Sequence, residues 1–207
     1  MILGVIPARK GSKGIENKNI YPLCGKPLIE YTIETALKSN LDEVIISTDM
    51  SKEIFNISDI PCKYVDRPKD LCADTTPMLP VIKHLLHGLP YIVDAVMILQ
   101  PTSPLRTTED INIAIKLFND NNVDSLYSVY SMSIKHKNKT YDKHIDKPHL
   151  QRNGAIFITR RDLLAQNKLW SNNAIEFIMP SYRSIDIDSM EDMRHAELLL
   201  KGGVLND

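Results

Sequence analysis

Residues 6–19 read IPARKGSKGIENKN and gather Arg9, Lys10, Lys13 and Lys18 around Gly11 and Gly14. A loop of this kind either lies in water or holds something strongly negative. Arg9 offers a planar, bidentate fork, and Lys13 and Lys18 offer point charges. Gly11 and Gly14 permit conformations in which backbone N–H groups converge on an anion. The loop matches neither GxxxxGK[ST] nor GxGxxG, and as a bare charge run it also suits a solvated surface. A second constellation is SIDID, where Asp186 and Asp188 flank Ile187. On a strand, residues two apart share a face. Two carboxylates side by side repel unless water screens them or a cation sits between them, and hard oxygen donors suit Mg²⁺. Taken alone, the pair equally describes exposed acids on an edge strand. A third is LQPTSPLR, in which Gln100 presents both donor and acceptor, and Thr102 and Ser103 can bond a sugar or cap a helix. Arg106 reads as a surface residue before that helix. His84 and His87 stand three apart, but the sequence places no third ligand near them, so they read as packing or exposed residues.

The elements that must position these groups alternate. MILGVIP, DEVIISTD, CKYVD, DAVMILQ, DSLYSVY, GAIFIT and SIDID read as strands. PLIEYTIETALKS, DTTPMLPVIKHLLHGL, TTEDINIAIKLFND and SMEDMRHAELLLK carry helical periodicity. Thr107 and Asp110 stand at capping-box spacing, Asp74, Thr75 or Thr76 can cap the second helix, and Gly202 and Gly203 end the last. Strand–helix alternation predicts an α/β sandwich with a mostly parallel sheet, whose ligands bind beyond the C-terminal strand ends. Arg9, Asp49 and Gln100 all follow predicted strands there.

Composition narrows the classes. The chain has 207 residues, 43% hydrophobic and 25% charged, which suits one domain with a sizeable core. A net charge of −1 gives no bulk cationic field for nucleic acid or an anionic membrane. Three cysteines, Cys24, Cys62 and Cys72, form no CxxC pair and read as reduced packing residues, and the apolar start is too short for a signal peptide or span, so the expected location is cytoplasmic. The eight tyrosines and Trp170 form no base-stacking ladder.

The segments IPARKGSKGIENKNI, GKPLIEYTI, STD, RPKDLCADTTP, LQPTSPLR, NGAIFI and SIDID occur in this order. In them the chain resembles the acylneuraminate cytidylyltransferases, or CMP-sialic acid synthetases, from about Ile2 to Leu200 with a break from about Tyr130 to Leu150. The resemblance implies a Rossmann-like nucleotidyltransferase sandwich, one domain over residues 1–207, with a mostly parallel central sheet flanked by helices. It implies transfer of CMP from CTP to an acidic sugar, with release of pyrophosphate and magnesium as cofactor. By the same resemblance Ala8, Arg9, Gly11, Ser12, Lys13, Asn19, Arg67 and Asp74 meet the nucleotide, and Arg9, Lys13 and Lys18 act on the triphosphate. Asp186 and Asp188 correspond to the metal-binding pair, and one of them, taken as Asp188, assists the attacking hydroxyl. Gln100, Thr102, Ser103, Arg152 and Asn153 fall to the acceptor.

The resemblance thins on the acceptor side. The family's long dimerisation insertion is reduced to a short, basic, lid-like loop at about 130–150, so a homodimer is left open. The family arginine two residues before the Asn of NGA is Gln151, with Arg152 beside it, and the following tyrosine is Phe157. The anionic small-molecule acceptor is thus a sialic acid-like nonulosonic acid, another acidic sugar, or a phosphonate or phosphate. A metal-dependent glycosyltransferase and a nucleotide sensor without turnover are the competing classes.

Overall fold

The computed structural model describes residues 1–51, 62–132 and 149–203. The lid-like loop, apart from its two ends, lies outside the described residues. The opening apolar run forms β1 (Ile2–Ala8), buried at almost every position. A strand so apolar must be covered on both faces, and it takes the interior of the sheet. Around it the order is β5 (Lys63–Asp66), β4 (Glu43–Thr48), β1, β6 (Ala95–Ile98), β8 (His149–Arg160), β7 (Ser125–Met132) and β9 (Ala174–Ile178). β8 pairs antiparallel with both neighbours, and every other pairing in the sheet is parallel. The chain leaves β1 toward β4 and β5 and then crosses to β6 on the opposite side of β1. This reversal opens a crevice beyond the ends of β1 and β6, the ligand position of such sheets.

Three apolar clusters hold the layers. On one face, Ile29, Ile33 and Ala36 of α1 (Leu28–Leu37) and Ile111, Ala114, Ile115 and Phe118 of α3 (Thr108–Asp120) pack against Ile6, Ile46 and Met97. On the other, Ile82 and Leu85 of α2 (Met78–His87) and Leu164 of α4 (Arg161–Ala165) cover Leu3, Val5 and Val96. A smaller cluster seats Met193 and Ala196 of α5 (Met190–Lys201) on Leu28, Leu105 and Ile187. Fully burying aliphatic side chains of this size stabilises by about 1.5–3 kcal/mol each, so the two large clusters fix the sheet and the small one fixes the strip carrying Asp186 and Asp188.

Three local expectations change, and one strand is new. SIDID enters no ladder; Ile187 instead donates its N–H to the carbonyl of Thr102 at 2.8 Å. The alternation still holds, with Ile187 fully buried between two exposed aspartates. α2 begins after Pro77 with no side-chain cap, which frees Asp74 for another role. Cys24 is exposed, at φ +49 in the turn between the two-residue strands β2 (Pro22–Leu23) and β3 (Lys26–Pro27). β9 has no clear sequence signal: it is a five-residue edge strand whose Ile178 is exposed. Thr107 and Asp110 form the expected capping box at α3, and the structure adds a second at α5, Ser189 with Asp192. Among the described residues, no helix is long and apolar enough to cross a membrane.

Candidate active site

The crevice is a cleft of about 340 Å³. One wall is the loop after β1, with Arg9, Gly11, Ser12, Lys18 and Asn19. The opposite wall brings Arg67, Asp74 and Thr76, and the floor brings Gln100, Thr102, Asp186 and Asp188. A larger hollow of about 520 Å³ lies at the far end of α2. It lacks a glycine-bearing cationic loop and paired acids, so the cleft is the candidate site.

The loop is held by its own side chains. Asn19 donates to the carbonyl of Arg9 at 2.8 Å, folding the cradle back on itself. Lys18, nearly buried, donates to the carbonyl of Ile187 at 2.7 Å and to Asp188 at 3.0 Å. This links the cationic loop to the aspartate strip. Gly14 makes the link tighter still. A Cβ there would fall well inside 3.0 Å of the carbonyl oxygen of Asp188. Neither Gly11 nor Gly14 has positive φ, so Gly14 is required by close approach rather than by a left-handed turn.

Asp74 ion-pairs with Arg9 and stands 3.6 Å from Lys13. Lys13 is exposed and reaches the cleft only at its rim. Arg67 is buried, its guanidinium donating to the carbonyl of Ser47 at 2.9 Å and to the Ser47 hydroxyl at 3.3 Å. Burial lowers its pKa, and the nearby Arg9 charge pushes the same way. Ala8 and Ser103 are buried and do not line the cleft.

Asp186 opens into the cleft, yet enough protein surrounds its carboxylate that desolvation raises its pKa. The Asp188 charge raises it further, while a bond from Thr102 and the charge of Lys18 oppose the rise. Such a pair gains from a cation. No cluster of three or more metal-type side chains exists among the described residues. Two carboxylates fit Mg²⁺, which ordinarily combines few protein carboxylates with waters and substrate phosphates.

Beyond Gln100 the cleft meets a second hollow of about 190 Å³, lined by Met78, Tyr127, Arg152, Gly154, Phe157 and Trp170 among others. Arg152 lies over the ring of Tyr127 at 4.2 Å and that of Trp170 at 5.3 Å. Trp170 meets Phe157 edge-on. Stacking uses the faces of the guanidinium and leaves its N–H edge for a carboxylate. The register explains why Arg152 serves here: Gln151 pairs across to Tyr130 and accepts from its hydroxyl, away from the hollow. Asn153 is buried behind the wall, donating to Ser184 at 2.8 Å and accepting from Ser128 at 2.5 Å. Its amide is spent on holding β8 to β7 and to the aspartate strip. Trp170 and Tyr127 carry no sequence signal, because only the fold brings them to Arg152.

Arg106 is the largest departure from the sequence reading. It is not a surface residue but is 1% exposed. Arg183, which the sequence does not single out, bonds Asp110 of the α3 cap at 3.0 Å, anchoring the turn that leads into Asp186.

A family profile described as cytidylyltransferase matches residues 3–200. The chain belongs to the cytidylyltransferase family. It is 33% identical to the CMP-N,N′-diacetyllegionaminic acid synthase of Legionella pneumophila, over 97% of this chain and 96% of that protein. It is 30% identical to a pseudaminic acid cytidylyltransferase of Campylobacter jejuni, over 96% of each. It is 31% identical to the N-acylneuraminate cytidylyltransferase of Escherichia coli, and there it spans only about half the relative's length, 51% against 94% of its own. In fold it is similar to a CMP:2-keto-3-deoxy-manno-octonic acid synthetase complexed with CTP. That likeness has TM-score 0.77 at 17% identity, over 97% of this chain and 98% of the other. The mostly parallel sheet with flanking helices is thus a fold the two chains share.

Proposed function

We propose that this cytidylyltransferase joins CMP from CTP to a hydroxyl of a compact, carboxylate-bearing sugar and releases pyrophosphate. The observation that carries the reading is the convergence, on one cleft, of a cationic loop and an aspartate pair, next to a hollow presenting Arg152. Named relatives that act on legionaminic, pseudaminic and N-acylneuraminic acids support the acceptor class.

In this reaction the sugar oxygen forms a bond to the α-phosphorus. The bond from that phosphorus to the β-bridging oxygen breaks, and its electrons leave with pyrophosphate. The hydroxyl proton passes to the aspartate strip or to water in the cleft. Arg9 and Lys18 offset charge as it grows on the leaving group, Lys13 assists from the rim, and Asn19 keeps Arg9 in place. Arg67 and Asp74 border the nucleotide side. Gln100 and Thr102 face the join between nucleotide and acceptor, and Arg152 meets the acceptor carboxylate. Asp186 and Asp188 are the residues that would hold Mg²⁺, which supplies charge neutralisation at the phosphates when bound. Holding two reactants in line supplies much of the acceleration in such transfers. The tie between Lys18, Gly14 and Asp188 therefore matters as much as the charges.

The test is pyrophosphate release from CTP and Mg²⁺ with N-acetylneuraminate, N,N′-diacetyllegionaminate or pseudaminate. Release that depends on one of these acids supports the reading. CTP binding with no release on any of them overturns the acceptor class, and no CTP binding overturns the nucleotide half.

A further inference from the structure

The ladder between β6 and β8 runs from Ala95 opposite Arg160 to Ile98 opposite Phe157 and then stops. Continued at the same register, it would set Gln100 opposite Ala155. Instead the buried guanidinium of Arg106 stands there. Its Nη1 donates to the carbonyl of Ala155 at 2.6 Å and reaches the carbonyl of Gln100 at 3.4 Å. Its Nη2 donates to the hydroxyl of Thr32 on α1 at 2.8 Å, which fixes the group from below. Nε has no partner among the described residues. Among the described residues no carboxylate ion-pairs with Arg106; the charge of the neighbouring Asp110 favours it, but that carboxylate is engaged by Arg183 and by the α3 cap. A buried cation is costly unless several acceptors satisfy it. Burial pulls its pKa down to about 9, and it stays charged at neutral pH.

We propose that Arg106 is a positioning residue, a buried wedge that holds the ends of β6 and β8 apart and so sets the width of the passage between cleft and hollow. The passage is bounded by the residues next to the wedge. Gln100 lines both cavities. Gly154, one residue before Ala155, lies at φ +70. A Cβ there would stand 3.4 Å from Gln100 Oε1 and 3.6 Å from Asp186 Oδ2. If Arg106 were withdrawn, the Ala155 carbonyl would lose this donor, the Gln100 carbonyl would keep only the Ser103 N–H at 3.3 Å and the Thr32 hydroxyl at 3.4 Å, and the Gln100 side would shift against Gly154. Among the described residues, no hydrogen bond joins the wedge to β1 or α2, which carry the nucleotide wall. Loss of the wedge therefore falls on the acceptor and spares CTP.

The acceptor arm of the test rests on the reaction proposed above. Arg106→Lys keeps the charge but loses the fork. Thr32→Val keeps shape and removes the lower anchor together with the Thr32 bond to the Gln100 carbonyl, and serves if the first variant does not fold. The probe is whichever of the three acids the wild type turns over. We expect the acid KM to rise at least tenfold in Arg106→Lys and about threefold in Thr32→Val, with the CTP Kd within twofold of wild type. Hydrogen exchange needs no acceptor. Segments 99–106 and 152–157 exchange faster in the variants, and segment 2–19 does not. Both variants leaving acid KM and exchange unchanged would overturn the wedge. CTP Kd and acid KM worsening in step would reduce Arg106 to a general packing role. A wild type inactive on all three acids sinks the proposed acceptor, and exchange alone then decides the wedge.

Discussion

Gly14→Ala isolates the contact between the cationic loop and the aspartate strip. The added methyl would sit well inside 3.0 Å of the Asp188 carbonyl oxygen, a backbone atom that cannot rotate away. The carbonyl carbon, 3.2 Å away, leaves no room to slide along that bond. The loop and the strip must therefore separate, by an amount on the order of 1 Å, and a misplacement of that size can cost about a hundredfold in rate. Gly14 is exposed and its φ is ordinary, so its own backbone carries no strain, and relieving the contact costs about 1–3 kcal/mol of stability, the usual range for overpacking. Gly25→Ala is the contrasting variant. Gly25 has φ +81 in the β2–β3 turn with nothing near its Cβ, so the change costs on the order of 1–2 kcal/mol of stability and leaves the site alone. Steady-state pyrophosphate release and thermal melting on both proteins read the two effects. A Gly14→Ala enzyme within threefold of wild type, with normal melting, would refute the claim that loop and strip work as one unit.

Other variants probe single parts. Arg9→Ala should weaken CTP binding by about ten- to a hundredfold, the loss of a charge-assisted contact of roughly 1.5–3 kcal/mol. Calorimetry reads this, and the exposed Lys13 should lose less. Asp186→Asn with Asp188→Asn should keep the fold, lower the rate strongly and raise the Mg²⁺ needed for half-maximal activity. Full activity in excess chelator would contradict it. Turnover with CTP, ATP, GTP and UTP should show preference for CTP, and equal use of GTP would count against the nucleotide assignment. Asp110→Asn should lower the melting temperature by removing the charge that holds Arg183 and caps α3, a loss of about 1–2 kcal/mol, with scanning calorimetry as the check.

Much of this was legible because local physics decides it. β1 is an apolar run that only an interior strand tolerates, and the capping box at Thr107 needs just a few neighbouring residues. The cationic loop could be placed at the ligand edge once β1 was recognised. What escaped depends on distant partners. Nothing near Arg106 in sequence says that Gln100, Ala155 and Thr32 will surround it. Arg152 acquires Tyr127 and Trp170 only through the β7–β8 register and the connection before β9. SIDID has the alternation of a strand, but its neighbour is a single carbonyl of Thr102 rather than a ladder. Asn153 resembles a site residue in sequence, yet its amide is consumed by Ser128 and Ser184.

The central claim is that one cleft joins CMP to a carboxylic sugar. Mass analysis of the products formed from CTP, Mg²⁺ and each of the three acids tests it most directly. The account predicts a new species with the mass of CMP condensed with one acid, formed in equal amount with pyrophosphate and far more slowly when Asp186 and Asp188 are both changed to Asn. Pyrophosphate formed together with free CMP, at a rate indifferent to the acid, would contradict it.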